Sequence, residues 1–203
     1  MLGASAAEKH GGSGGNPLDT LAILEEIVLA GGSSGLISAL FSHGIATLHI
    51  VASGNRDLIE RFARPALEGR TIGSLGITEP GGGSDVAGIR TTARREGDEY
   101  VSDGAKLYIT SGTRADFVTT AVRTGGPGAA GISLIVVPTG TPGFTVSHKL
   151  DKMAGCARTP PSCSPTTCGV PAANPAGEEN SEFAQIAQQF QGERPPSRRA
   201  TTL

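Results

Sequence analysis

Three consecutive glycines, Gly81, Gly82 and Gly83, follow Pro80 at the end of a short apolar run, residues 72–77, and carry hydroxyls on either side at Thr78 and Ser84. Residues without a Cβ let the backbone take positive φ and bring its N–H groups against a ligand. The two hydroxyls add donors and acceptors for a phosphate or the edge of a ring. No lysine follows in the arrangement of a P-loop and no GxGxxG opens a helix, so neither nucleotide fingerprint is met. Composition alone fits a plain surface turn equally well. Glu79 and Asp85 are the carboxylates of this stretch. A turn carboxylate that accepts nearby backbone N–H bonds holds such a loop in place, and that reading is preferred here to acid–base catalysis by either residue.

A second segment lies some twenty residues on. Residues 99–102 and 105–110 read as strands separated by Asp103-Gly104, a strong hairpin signal. That arrangement puts Tyr108 and Thr110 on one face and Ile109 on the other. An aromatic ring beside a hydroxyl forms a platform for a flat cofactor with one polar contact at its edge. The alternative is a half-buried strand tyrosine next to a β-forming threonine.

Both segments need elements to hold them. From residue 71 to about 150 the hydrophobic period is two, with turns at Gly97-Asp98, Asp103-Gly104, 125–128 and Pro142-Gly143, which predicts an antiparallel barrel or orthogonal sandwich. Residues 117–123 and 131–138 read as its core strands. Residues 1 to about 16 are rich in Gly, Ser and Ala, and residues 17–69 are helical in pattern. Asn16-Pro17 starts a helix and Gly31-Gly32 stops it. A second helix runs over residues 34–52, and Asn55 caps a third that ends before Pro65. His43 and His49 stand six apart, outside the i, i+4 spacing of a metal pair, and read as polar or packing residues.

With 203 residues and a net charge of −2 the chain has room for one or two domains with a real core, and its weak acidity argues against nucleic acid as a partner. Arg194, Arg198 and Arg199 read as a solvated tail. There is no apolar N-terminal leader, and the most apolar helix candidate carries Glu25 and Glu26. A cytoplasmic protein without a membrane span is therefore expected. Cys156, Cys163 and Cys168 give three sulfurs with no adjacent histidine, which is no structural zinc set, and an odd count argues against a disulfide framework.

Together ITEPGGGSD, residues 77–85, and AKLYITSG, residues 105–112, resemble the flavin-binding face of the acyl-CoA dehydrogenases. The likeness continues through DVAGIRTTARREGDEYVSDGAKLYITSGTRADFVTTAVRTG and TGTPGFTVSHKLDKM. It implies an α+β fold with a partial N-terminal helical domain over residues 1–70 and a flavin-binding β-barrel over 71–153. An irregular segment over 154–177 and the start of a C-terminal helical bundle over 178–203 follow, the chain being truncated at both ends relative to the family. The cofactor implied is FAD, with Leu75, Ile77, Thr78, Gly83, Ser84, Tyr108, Ile109 and Thr110 around it. Ile77 and Thr78 fall at the pyrimidine side, and Gly83 and Ser84 near the pyrophosphate and the acyl-CoA. Tyr108 takes the place of an aromatic residue that covers the ring, and Thr110 that of the hydroxyl bonding flavin N5. Ser84, Gln191 and Arg194 fall on the substrate side, although many members have aspartate where Gln191 stands.

The activity implied is oxidation of an acyl-CoA to the trans-2-enoyl-CoA, with electrons passed to an electron-transfer flavoprotein by a homo-oligomeric enzyme. The family's catalytic base is expected beyond the end of this sequence, so no catalytic residue is assigned and the isolated chain is expected to be weakly active or inactive. The alternative is a non-catalytic flavin-site subunit or interaction module that needs a partner carrying the base.

One stretch departs from the family. Residues 154–169 hold all three cysteines and show no strand pattern, where the family continues Gly-Trp-x-x-Ser-Asp-Thr-x-Glu-Leu-x-Phe-x-Asp-Val-x-Val-Pro. Codons for Pro161-Ser162-Cys163, read one base out of register, can give Glu-Leu, and those for residues 166–169 can give Asp-Asp-Val-Arg. A pair of compensating frame shifts, natural or from sequencing, is the expectation; it would remove the strand that closes the barrel. Resequencing the coding DNA tests it.

Overall fold

A computed structural model of the chain describes residues 2–149, 161–165 and 168–193, those at 34, 38, 39, 41–43, 147–149, 161–165 and 191–193 as backbone alone. It begins with helices. Asn16 caps α1 (Pro17–Leu29): its side chain accepts from Leu18 N at 2.7 Å, and Asp19 returns a bond to Asn16 N. Ser33 caps α2 (Ser34–Ala52), and Asn55 caps α3 (Arg56–Leu58). The helix begun at Asn55 does not stop before Pro65, as the sequence predicts. A π-turn over Ile59–Ala63 widens the ladder, with Arg64 N bonded to Ile59 O, and α4 (Arg64–Leu67) carries the proline near its start, where its missing N–H costs little.

The sheet follows. β1 (Gly73–Gly76), β2 (Thr92–Glu96), β3 (Glu99–Asp103), β4 (Phe117–Arg123), β5 (Ile132–Pro138) and β8 (Cys168–Pro171) form one curled sheet, and β6 (Phe144–Lys149) pairs with β7 (Pro161–Pro165) beside it. The fold class is α+β, but the sheet is mixed rather than wholly antiparallel. β1 runs parallel to β4, fixed by reciprocal bonds between Ile72 and Asp116, because the loop and β2–β3 hairpin between them form a crossover. β4 is the central strand, antiparallel to β5 on one edge and sharing the other between β1 and the end of β2. Both β4 and β5 are buried almost throughout, as their apolar runs require.

Two expectations fail here. The hairpin turn is Gly97-Asp98, between β2 and β3, while Asp103-Gly104 is no turn and residues 105–110 form no strand. Gly104 instead lets the chain cross Thr91: a Cβ there would lie 2.5 Å from Thr91 Oγ1 and 2.7 Å from its Cα. Among its described residues the segment expected to be irregular contains β7 and β8, and the curled sheet stays open, β1 and β8 each pairing with a single strand. β8 pairs antiparallel with β3, turning Cys168 and Val170 into the core. Ladder bonding reads the backbone, and two inward residues are too short a pattern to see in a sequence.

The main core lies between the helices and one sheet face, where Ala46, Ile50, Leu58 and Phe62 meet Phe117, Leu134 and Val136. The Phe62 and Phe117 rings are 5.2 Å apart, and Thr119 Oγ1 donates to Ala46 O. A second cluster of Ala93, Tyr100, Val122, Ile135, Val137, Cys168 and Val170 fills the concave face. Asn174 then lays the chain along β5, exchanging bonds with Val136, and Ala176 N donates to Leu134 O before α5 (Phe183–Glu193) begins.

Candidate functional site

The two motifs, well separated in sequence, lie against one another. Leu107 N donates to Thr78 O at 2.8 Å, and Ser74 Oγ donates to Thr110 O at 2.7 Å. Beneath them Lys106 Nζ reaches Glu79 Oε1 at 2.8 Å and Ile77 O at 3.1 Å. This ion pair is buried, with Lys106 only 1% and Glu79 8% exposed. The Glu79 carboxylate also accepts from Arg90 N at 2.6 Å and Thr91 N at 2.9 Å. Burial raises the Glu79 carboxyl, but the bonds from Lys106, Thr91 and the Arg90 N–H outweigh it and hold it at about 2. Burial also draws the Lys106 ammonium down to about 8, with Glu79 opposing. Both groups are charged at pH 7, and Glu79 is a structural anchor rather than a free base.

The glycine loop closes on itself: Glu79 N donates to Gly82 O and Gly82 N to Glu79 O. None of the three glycines takes positive φ, contrary to the sequence reading. Nor does packing demand glycine: a Cβ at Gly81 or Gly82 would meet nothing within 4 Å, and one at Gly83 only Thr78 Cγ2 at 3.6 Å. What the missing side chains leave is bare, exposed backbone that another molecule can approach closely. Asp85 caps the short turn after the loop, accepting from Gly88 N.

Tyr108 is the second unusual feature. Its φ is +57°, Ser111 follows at +65°, and Tyr108 as a whole is 60% exposed. Among the described residues only Asn180 is another non-glycine with positive φ. A bulky residue in the left-handed region persists where its surroundings enforce it, and such strain concentrates at binding sites. An exposed Tyr108, partly exposed Thr78 and Thr110, and the exposed Gly83-Ser84 backbone thus lie on two segments that the Leu107–Thr78 bond joins. These residues fit a flat, phosphate-bearing cofactor: ring surface, hydroxyls and unobstructed backbone are the groups such a ligand needs.

Not every expected residue faces outward. Ile77 and Ile109 are buried, in the main core and beside Val118 respectively, and Leu75 packs on the main core. Leu75 is only partly buried, whereas the side chains of Ile77 and Ile109 are enclosed in their clusters. The side chain of Gln191, within α5, lies outside the described structure, as does Arg194. Lys106 was missed by sequence reasoning. Its signal was a lysine among apolar and aromatic neighbours, in a run otherwise suited to burial. Among the described residues no group of three His, Cys, Asp or Glu could hold a metal, and no helix is long and apolar enough to cross a membrane.

Comparison with known proteins places the molecule. Residues 1–70 match the N-terminal domain of acyl-CoA dehydrogenases and residues 74–164 the middle domain. The chain belongs to the acyl-CoA dehydrogenase family, whose members are FAD-dependent. It is 36% identical to the mitochondrial long-chain specific acyl-CoA dehydrogenase of Rattus norvegicus, over 96% of this chain and 45% of that protein. Its fold is similar to the crystal structure of a probable acyl-CoA dehydrogenase from Mycobacterium abscessus, with a TM-score of 0.93 and 58% identity over 95% of this chain and 51% of that one. It is also similar to the crystal structure of an FAD-dependent dehydrogenase, with a TM-score of 0.83 and 30% identity over 91% of this chain and 50% of that one. The chain spans about half the length of the relatives it matches.

Proposed function

We propose that this chain supplies the flavin-facing half of an acyl-CoA dehydrogenase site, binding FAD and presenting it to an acyl-CoA thioester. The observation that carries this reading is the bond from Leu107 N to Thr78 O, which joins the segment carrying Tyr108 and Thr110 to the one carrying Thr78, Gly83 and Ser84. A bound FAD supplies the hydride acceptor for α,β-dehydrogenation of the thioester. The share of this chain is to bind and orient. Thr78 and Ser84 offer hydroxyls, the glycine loop offers unobstructed backbone, Tyr108 offers a ring face, and Thr110 a hydroxyl at its edge. No catalytic base is assigned: Glu79 is tied into an ion pair and Asp85 into a turn. The reading extends, through the family, to acyl-CoA as substrate and an electron-transfer flavoprotein as electron acceptor.

A second reading is favoured by one observation. α1 has no buried residue, and Leu18, Val28 and Leu29 on it are largely exposed. A flavin-site subunit that completes its site only with a partner carrying the base fits that uncovered helix. One experiment separates these readings: the chain is mixed with excess FAD and desalted, its visible spectrum is recorded, and acyl-CoA oxidation is assayed with and without a homologous partner. Retained, spectrally shifted flavin with little or no turnover, partner present or not, supports the first, and turnover only with the partner supports the second. A colourless protein refutes both.

A further inference from the structure

We infer that Lys106 is a positioning residue of this site: through Glu79 it locks the glycine turn to the segment carrying Tyr108, so that the two binding motifs hold one arrangement before any ligand arrives. The inference rests on the flavin-site reading above for its purpose, and on geometry for its mechanism.

Three stretches of chain meet at this one ion pair. Lys106 Nζ donates to Ile77 O and Glu79 Oε1, and Glu79 accepts from the backbone of Arg90 and Thr91, where β2 begins. The ligand-facing residues stand next to these anchors. Thr78 lies between the two residues Lys106 bonds, and Tyr108 lies two residues beyond Lys106, within reach of any backbone shift. Tyr108 is also bracketed: Lys106 and Leu107 N hold the chain before it, and Ser74 Oγ holds Thr110 O after it. A left-handed tyrosine needs such bracketing, since its backbone conformation is unfavourable and persists only where the surroundings enforce it. An apolar pair could fill the same volume, but it could not hold the Ile77 carbonyl and two backbone N–H groups in fixed directions. The buried charges are therefore retained for direction, a role distinct from net stabilisation.

The test uses the full chain and two variants, Lys106→Met and the double variant Glu79→Gln with Lys106→Met, which removes both buried charges and so keeps the fold if the single variant fails to. Hydrogen exchange followed by mass spectrometry without FAD reads the loop directly. Protection over residues 77–85 and 107–112 should fall by about tenfold while β4 and β5 stay unchanged. FAD titration of the double variant should show affinity weakened by about tenfold. A folded double variant with unaltered loop protection overturns the proposal. So does a loss of protection spread equally through β4 and β5, which would make the pair a general fold support, and so does FAD affinity equal to that of the wild type. If the wild-type chain itself binds no FAD, the cofactor reading falls, and the exchange data still decide whether Lys106 positions the loop.

Discussion

Two buried glutamates are tuned in opposite directions, and their pH dependences run oppositely. Glu79 sits at about 2 in the folded chain against 4.5 as a free side chain. A depressed carboxyl stabilises fully above its unfolded value and loses that contribution as pH falls toward 2, a term of about 3 kcal/mol at most. Glu79→Gln should therefore flatten the acid limb of stability between pH 4.5 and 2, as read by urea unfolding at each pH. Glu182, fully buried with one carboxylate oxygen unpartnered, is pushed up to about 7 by burial. Its folded form favours the proton, so stability is kept below pH 4.5 and lost as pH rises through 7. Glu182→Gln should raise the melting temperature at pH 8 by roughly 5 °C and leave it nearly unchanged at pH 4.5. A variant equally affected at both values would show that the carboxylate is solvated.

At the scale of elements, the stretch after β8 acts as an extra strand. Asn174 is wholly buried, donates Nδ2 to Val136 O at 2.8 Å, and accepts from Val136 N through its backbone O. Asn174→Ala should cost about 1–3 kcal/mol in urea unfolding and speed amide exchange at Val136. The elements that were legible in the sequence were those with strong local signals. Asn16-Pro17 capped α1 as read, Gly97-Asp98 made the hairpin turn, and the apolar runs of β4 and β5 became the buried centre of the sheet. What escaped was set by tertiary contact. The Asp103-Gly104 pair has hairpin composition, yet a close crossing over Thr91 decides its conformation. β8 is recruited by the exposed edge of β3, which no pattern within residues 168–171 announces. The site was read in the same uneven way. Thr78, Ser84, Tyr108 and Thr110 were visible as a motif, while the Lys106–Glu79 pair that joins its halves is a contact between residues 27 apart.

The whole molecule presents an uncovered helix and a sheet in which β3 and β5 gain a covering neighbour only from later residues. With Leu18, Val28 and Leu29 exposed on α1, the chain should self-associate as its concentration rises, and Leu18→Glu with Leu29→Glu should shift sedimentation toward a monomer. The order of the strands has a consequence for synthesis. As the polypeptide leaves the ribosome, β3 and β5 are both complete before residues 168–182 exist, and those later residues cover both of them. Until they emerge, the nascent sheet offers two open ladders to any neighbouring chain. Residues 168–182 thus end the exposure of these two ladders.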